Sequence, residues 1–493
     1  MTPQSLKPSP ARSPAIVLAI ILAAQLMAVL DASVVITALP SIHKTLGFSP
    51  SGLSWVQNAY MLPFGGLLLL GARMGDVLGR RRVFIVGLAV FTLASLMGGL
   101  AQSPMWLITA RAIQGTAAAV AVPSTLTLLM VTFHEGPARL RAISLYGAIS
   151  GAAGSVGIVL GGILTSWLSW RWGLFINVPI GVVAIALAPR YLPETPRDSK
   201  SFDVAGAVTG SLGMFALVFG FVRASTAGWT DPGTIVSFGL GLAMLGGLIW
   251  VELRARHPMM PLRLFSSLER SGALVARLFL VGSMFSGFFF LTQFFQGVRG
   301  FSAIEAGFAF LPMTALVFAM ARVVPRLAPR IGTARLLVIG LTVDLVGMTW
   351  LSRVSVGTNY FPGIALPLLL MGVGAGISFI TLTGRGIAGV PDRDAGAASG
   401  LVNVFHQVGG CLGIAVMTTV FVSATRAPGR TGHGTLAANS GASVLAHGVS
   451  MALTGSTISL VLALVVTLAT VRRRTPATVV SAEQLEAADA IAA

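Results

Sequence analysis

Gly71-Ala72-Arg73-Met74-Gly75-Asp76-Val77-Leu78-Gly79-Arg80-Arg81-Arg82 joins two long apolar runs, and its reading decides the fold. Glycines at 71, 75 and 79 fall at helical spacing, so one helix face is smooth and admits close packing. Asp76 stands near the helix end, where a carboxylate can accept backbone N–H groups or pair with arginine. Three consecutive arginines then mark the point where the chain re-enters an apolar environment. Such a loop suits a latch at the membrane face, with Gly71, Gly75, Asp76, Gly79 and Arg80 as its parts. A plain positive-charge anchor accounts for the arginines but not for the glycine spacing or Asp76.

Working outward, a window of membrane-spanning length finds apolar runs near 14–39, 51–72, 83–102, 105–131, 140–166, 172–190 and 204–223. It finds further runs near 234–253, 271–296, 303–324, 334–352, 359–383, 397–423 and 449–471. Each has roughly the 20 apolar residues that a bilayer crossing needs. In lipid, helices satisfy every backbone hydrogen bond internally, and these runs are too long and too continuously apolar for barrel strands. The expectation is an all-α integral membrane protein with 14 transmembrane helices.

Composition agrees. Hydrophobic residues make up 55% of the 493 positions, charged residues 10%, and mean hydropathy is +0.85, against about 25% charged residues in an ordinary soluble chain. The net charge of +17 punctuates apolar runs rather than covering one soluble face, which argues against a nucleic-acid partner. The lone Cys411 excludes an intrachain disulfide. Lys7 and Arg12 precede the first apolar run, but that run outlasts the roughly 7–15 residues of a signal-peptide core, so it reads as the first span.

Of the 33 Lys and Arg residues, 24 fall in loops on one side of the expected membrane and seven on the other. Positive residues favour the cytoplasm, so both termini are expected on the cytoplasmic side of the cell membrane. Arg111 and Arg277 fall within spans. The loop after the tenth run reads Arg326-Leu-Ala-Pro-Arg330-Ile-Gly332-Thr-Ala-Arg335 and echoes the opening loop, pairing Gly332 with Gly79, Arg326 with Arg73 and Arg335 with Arg82. The echo divides the chain into a tail at 1–13, a six-helix bundle at 14–190, a linker at 191–203 and two inserted helices at 204–253. A second linker at 254–270, a second six-helix bundle at 271–471 and a tail at 472–493 follow. The Gly, Ala and Ser content of Thr425 to His447 reads as one flexible external loop.

Ionisable residues inside spans are costly and point to function. Asp31 lies roughly 14 Å below the outer end of span one and Arg111 roughly 11 Å below that of span four, so the two can meet at one depth. A helix movement that separates them would switch the proton affinity of Asp31, although a static pair joining the two helices fits the same residues. Asp344, in span eleven with no cation near it in sequence, is a second protonatable candidate or a water-linked acid without coupling. His406, in span thirteen, belongs to the residue type that can titrate near neutrality, and a hydrogen-bonded structural histidine is the bland reading.

In span five, glycines at 147, 151, 154, 157, 161 and 162 give one smooth face for very close helix packing, either ordinary small-residue packing or, at Gly157, Gly161 and Gly162, a face on which two halves can slide. Span nine is crowded with Phe285, Phe288, Phe289, Phe290, Phe294 and Phe295. Most of these are expected to face lipid, while an inward subset with Gln293 and Gln296 would suit an amphipathic aromatic molecule. Gln57, Tyr60, Gln114, Phe288, Gln293 and Gln296 are the candidates for a substrate cavity. No phosphate-cradling loop and no metal-ligand cluster occurs, so neither an enzyme nor a bound cofactor is expected.

Several of these stretches together resemble the fourteen-span drug:proton antiporters of the major facilitator superfamily. The Gly71–Arg82 loop is similar to that superfamily's signature between spans two and three. Leu30-Asp31 with Ala38-Leu39-Pro40-Ser41-Ile42 resembles the span-one motif of drug exporters. Arg111-Ala-Ile-Gln114-Gly115 resembles the span-four motif whose arginine is assigned to proton transfer. Trp170-Arg171-Trp172-Gly173-Leu174-Phe175-Ile176-Asn177-Val178-Pro179-Ile180-Gly181 is similar to a stretch of the fourteen-span branch. So are His257-Pro258 with Pro261-Leu262-Arg263-Leu264-Phe265, and Gly396-Ala-Ala-Ser399-Gly400 with Val408-Gly409-Gly410.

Two positions depart from the family pattern. Gly157-Ile158-Val159-Leu160-Gly161-Gly162 lacks the proline usual after the first glycine of the span-five exporter motif, and His406 stands where relatives often carry arginine. The resemblance implies two six-helix bundles plus two inserted helices, and proton-driven efflux of small amphipathic molecules such as antibiotics by a monomer in the lipid bilayer. A specific proton-coupled transporter of one metabolite, peptide, sugar or siderophore is the alternative.

Overall fold

The computed structural model describes residues 13–49, 52–133, 142, 145–146, 156–194, 204–255, 262–390, 395–426 and 437–470. Among them every regular element is helical. In chain order these are α1 (Pro14–Leu46), α2 (Trp55–Leu78), α3 (Arg80–Gly99), α4 (Pro104–Thr132), α5 (Val156–Trp167), α6 (Trp172–Phe175), α7 (Asn177–Tyr191) and α8 (Val204–Ala227). There follow α9 (Pro232–Arg254), α10 (Leu268–Gly297), α11 (Ala303–Ala309), α12 (Leu311–Ile331), α13 (Thr333–Leu351), α14 (Ala365–Ile387), α15 (Ala395–Arg426) and α16 (Ala437–Thr470). Among the described residues eleven runs are long and apolar enough to cross a membrane, with α6–α7 and α11–α12 each counted as one. The helices α2, α5 and α8 occupy the places of expected spans two, five and seven.

Local chemistry sets the helix starts. Pro14, Pro104 and Pro232 stand in first turns, where a missing N–H costs nothing. Ser103, Asp231 and Ser267 accept backbone N–H groups as N-caps. Ser302 and Glu305 form a reciprocal capping box.

Two boundaries differ from the sequence reading. α1 runs past Pro40 to Leu46, because a proline removes one hydrogen bond without ending the helix, and the stop comes from Gly47 at φ 71°. Helix covers much of the segment expected as a flexible loop from Thr425 to His447: α15 runs to Arg426 and α16 begins at Ala437, while 427–436 lie outside the described residues. Just beyond that segment, Gly448 of α16 lies against Phe421 and Thr425 of α15.

The two echoing loops share one geometry. Gly79 joins α2 to α3 at φ 99°, ψ 126°, and Gly332 joins α12 to α13 at φ 86°, ψ 140°. Side-chain-bearing residues avoid this region, so glycine is required at both joints.

The closest packing within residues 14–191 is of α4 on α2 and α3, with α7 beside α3 and α1. Within 268–470 it is of α10 on α15 and α16, α13 on α14, and α12 on α14. α8 and α9 pair with each other, and α8 leans on both α2 and α15. The two groups meet where α1 touches α10 and α11, and where α2 touches α15.

Candidate functional site

Asp31 and Arg111 meet directly. Arg111 Nη1 donates to Asp31 Oδ2, and both side chains are 0% exposed. Three further helices close on the pair. Gln114 Nε2, one turn beyond Arg111 on α4, donates to Asp31 Oδ1 at 2.8 Å and to Ser95 Oγ of α3 at 2.7 Å. Asn177 Nδ2, at the start of α7, donates to Asp31 Oδ1 at 3.0 Å. From α2, the Val56 carbonyl accepts from Arg111 Nε at 3.1 Å, and the Tyr60 ring lies 4.4 Å under the guanidinium.

Breaking such a buried pair by removing one partner costs about 3–5 kcal/mol, because the other charge is left uncompensated. The carboxylate is therefore held by three competing donors from two helices, while the guanidinium is held by an ion pair, two acceptors and a ring. Neutralising Asp31 would leave Arg111 with partial satisfaction only, which weakens the tie between α1 and α4.

Of the cavity candidates, Gln57, Tyr60 and Gln114 belong to this polar knot or its margin. Tyr60 donates to the Ala28 carbonyl at 3.0 Å and Gln57 Nε2 to the Ala32 carbonyl at 3.1 Å, so α2 is tied to α1 twice. Phe288 packs edge-on against Phe310 with ring centres 5.1 Å apart. Gln293 is half-buried, and Gln296 Nε2 donates to the Thr37 carbonyl at 2.9 Å. The expectation that most span-nine phenylalanines face lipid is corrected: Phe289, Phe290, Phe294 and Phe295 are buried. They pack on each other, on Phe421 and on Phe310. Lipid and a neighbouring helix are equally apolar, so composition does not tell which one a phenylalanine faces.

Asp344 is buried on α13 where Gly374 of α14 leaves room, and among the described residues it has no ion pair. It is not part of the Asp31 knot. His406 stands edge-on to both Phe285 and Phe379.

Gly157 and Gly161 press on α1 at Leu30, Ser33, Val34 and Thr37, with no space for a Cβ. Gly162 presses instead on the backbone of Ala303 and Ile304. α5 is thus wedged between α1 and α11 at the Leu46 end of the molecule, and Ile304 N–H donates to Ser166 Oγ there at 3.0 Å. Gly147, Gly151 and Gly154 lie outside the described residues.

In the glycine-rich loop, Gly71 packs on the α4 backbone at Ala119, and the Arg80 side chain lies over Gly75. The side chains of Arg73 and Asp76 lie outside the described parts. Arg81 was not singled out by the sequence, yet it ties this loop to the end of α7. Its Nη1 donates to the Pro189 and Leu192 carbonyls at 3.3 Å each, and its Nε stands 3.3 Å from Glu194. Asn177 and Ser95 were missed likewise. A polar side chain in an apolar run at the depth of Asp31 was the available signal for both.

The sequence profile described as Major Facilitator Superfamily matches residues 21–414. A cephamycin export protein of Amycolatopsis lactamdurans is 41% identical over 407 residues, covering 82% of this chain and 84% of that one. A puromycin resistance protein of Streptomyces alboniger is 40% identical over 416 residues, covering 83% and 82%. Among solved structures, an auto-inhibited peptide transporter of the POT family aligns with TM-score 0.65 at 16% identity, covering 94% of this chain and 99% of that one, a likeness of fold.

Proposed function

The chain belongs to the Major Facilitator Superfamily, and on that premise we propose that it is a fourteen-span exporter that expels amphipathic, antibiotic-like molecules in exchange for protons. The observation that carries this reading is the wholly buried Asp31–Arg111 pair, shared with Gln114 and Asn177, at the meeting of α1, α4 and α7. The printed functions of the relatives, cephamycin export and puromycin resistance, support the drug-export part.

In this reading the two bundles, 14–190 and 271–471, rock about the seam where α1 meets α10 and α11, with 204–253 inserted between them. Both termini are cytoplasmic, the Leu46 end is external and the working unit is a monomer in the cell membrane. The contacts of Gly162, Ser166 and Gln296 then seal the external side. Gly157 and Gly161 give the face along which α5 slides on α1, and Gly71, Gly75, Asp76, Gly79 and Arg80 form the cytoplasmic latch. A proton arriving at Asp31 releases α1 from Arg111, and Asp344 is a second protonatable site. Each inward proton supplies about 2.3 kcal/mol per 100 mV of membrane potential, in addition to the pH gradient.

The test uses everted vesicles loaded with either the wild-type chain or Asp31→Asn. Wild type should accumulate a fluorescent amphipathic drug when the interior is acid, and Asp31→Asn should not. Equal gradient-driven uptake by both would remove Asp31 from the mechanism.

A further inference from the structure

The other arginine inside a span, Arg277, is buried with no carboxylate beside it among the described residues. Arg277 of α10 is 3% exposed and lies about 14 Å from the Leu268 end by helix rise. Its Nη1 donates to Thr383 Oγ1 of α14 at 2.7 Å, its Cζ stands 4.3 Å from the centre of the Phe379 ring, and its Nε is buried without a partner. His406 of α15 meets the same Phe379 ring edge-on at 5.6 Å and Phe285 at 5.7 Å. Its Nδ1 is also buried without a partner. The contrast with Arg111 is plain: equal burial, but there an aspartate supplies the counter-charge.

A guanidinium kept in apolar surroundings without a counter-ion is costly, and a ring over one face offsets only part of that cost. Its Nε is without a partner among the described residues, and a guanidinium edge can take two oxygens of a carboxylate at once. The location adds a route. Gln407, next to His406, packs on Gly65 of α2, while Met61 of α2 and Phe285 both bear on Gly410. Arg277, His406 and Phe379 therefore sit beside the α2–α15 seam, on its Pro14 side, where the two groups of helices face each other.

We propose that Arg277, positioned by Thr383 and flanked by His406, receives a carboxylate of the exported molecule, with Phe285 and Phe379 taking its apolar part. The inference deepens the export reading and rests on it for the identity of the ligand as substrate. It narrows the substrate class to amphipathic organic acids. The Asp31–Arg111 knot is internally neutral and offers such an anion nothing comparable, so the acid should be read on one side of the seam and the proton on the other.

The test is a fluorescence titration of the full chain in phosphatidylcholine nanodiscs with dansyl-phenylalanine and with its methyl ester, which differ in the carboxylate alone. Wild type should bind the acid at least about tenfold more tightly than the ester. Arg277→Gln should erase that preference while holding ester affinity within about twofold, and Arg277→Lys should keep part of it. Equal wild-type affinities for acid and ester, or a preference that survives Arg277→Gln, would overturn the proposal. So would loss of the preference when phosphatidylglycerol is included, which would assign the site to a lipid headgroup. Should Arg277→Gln not assemble, Thr383→Val supplies the same comparison through the lost positioning bond. No gradient is used, so this result stands apart from whether transport is proton-driven.

Discussion

Gln296 donates to the carbonyl oxygen of Thr37 at 2.9 Å across 259 positions of sequence, tying α10 to α1 at the end where α5 is wedged against α11. Gly161 meets the Val34 backbone and Gly162 that of Ala303 and Ile304, so glycines and main chain let this seam close by backbone approach. A seam of that kind can part without repacking a core.

That end is therefore expected to open during the cycle. In a Cys411→Ala background, Ser166→Cys with Ile304→Cys should be linked by a short bis-maleimide, and the linked chain should lose efflux. Full transport by quantitatively linked protein would show that this end stays shut.

The Asp31–Arg111 pair should be strongly coupled in stability. Arg111→Gln alone should lower stability by about 3–5 kcal/mol. With Asp31→Asn added, the loss should fall short of the sum of the single losses by about 1–3 kcal/mol. Thermal unfolding of the purified chain and its three variants gives the cycle, and simple additivity would mean that the pair is not coupled.

The helix joints at Gly79 and Gly332 should respond alike. Alanine at either place is forced into a backbone region reserved for glycine, at about 1–3 kcal/mol. Gly239→Ala is the control: its Cβ meets nothing within 4 Å in the middle of α9, so it should be neutral or stabilising. Melting temperatures that fail to separate the two joints from the control would remove the strain argument.

The turn between α8 and α9 should loosen in acid. Arg223 Nε donates to Asp231 Oδ2 at 2.6 Å, and this hydrogen bond holds the carboxyl below the usual carboxylate range while it also caps α9 at Thr234. A lowered folded-state pKa means that the stabilisation is full above the ordinary aspartate value of about 3.9 and is lost as pH falls through the lower, folded one. Hydrogen exchange over 228–235, corrected for intrinsic rate, should be faster in Asp231→Ala than in wild type at neutral pH. The two should converge below the folded pKa, and a constant gap through acid would refute the assignment.

Much of the architecture was legible because the bilayer permits so few answers. Runs of apolar length must be helices in a bilayer. The Asp31–Arg111 meeting was legible from helix rise, since both lie at a similar depth from their helix ends. The Phe289–Phe295 cluster was not, because a phenylalanine against lipid and one against a helix share the same local chemistry. Nor was Arg81, which looked like one more arginine in a basic loop until α7 brought Glu194 and two carbonyls to it.

The sequence by itself determined what each residue must escape or seek: apolar runs leave water, Gly79 and Gly332 turn the chain, and intramembrane charges demand partners. Only the tertiary structure decided which partners they obtained. Arg111 found a carboxylate, Gln114 and Asn177 divided that carboxylate between two helices, and Arg277 found a hydroxyl and a ring but, among the described residues, no anion. Pairing across helices depends on how each is rotated about its axis, and that rotation is fixed by packing with every neighbour at once.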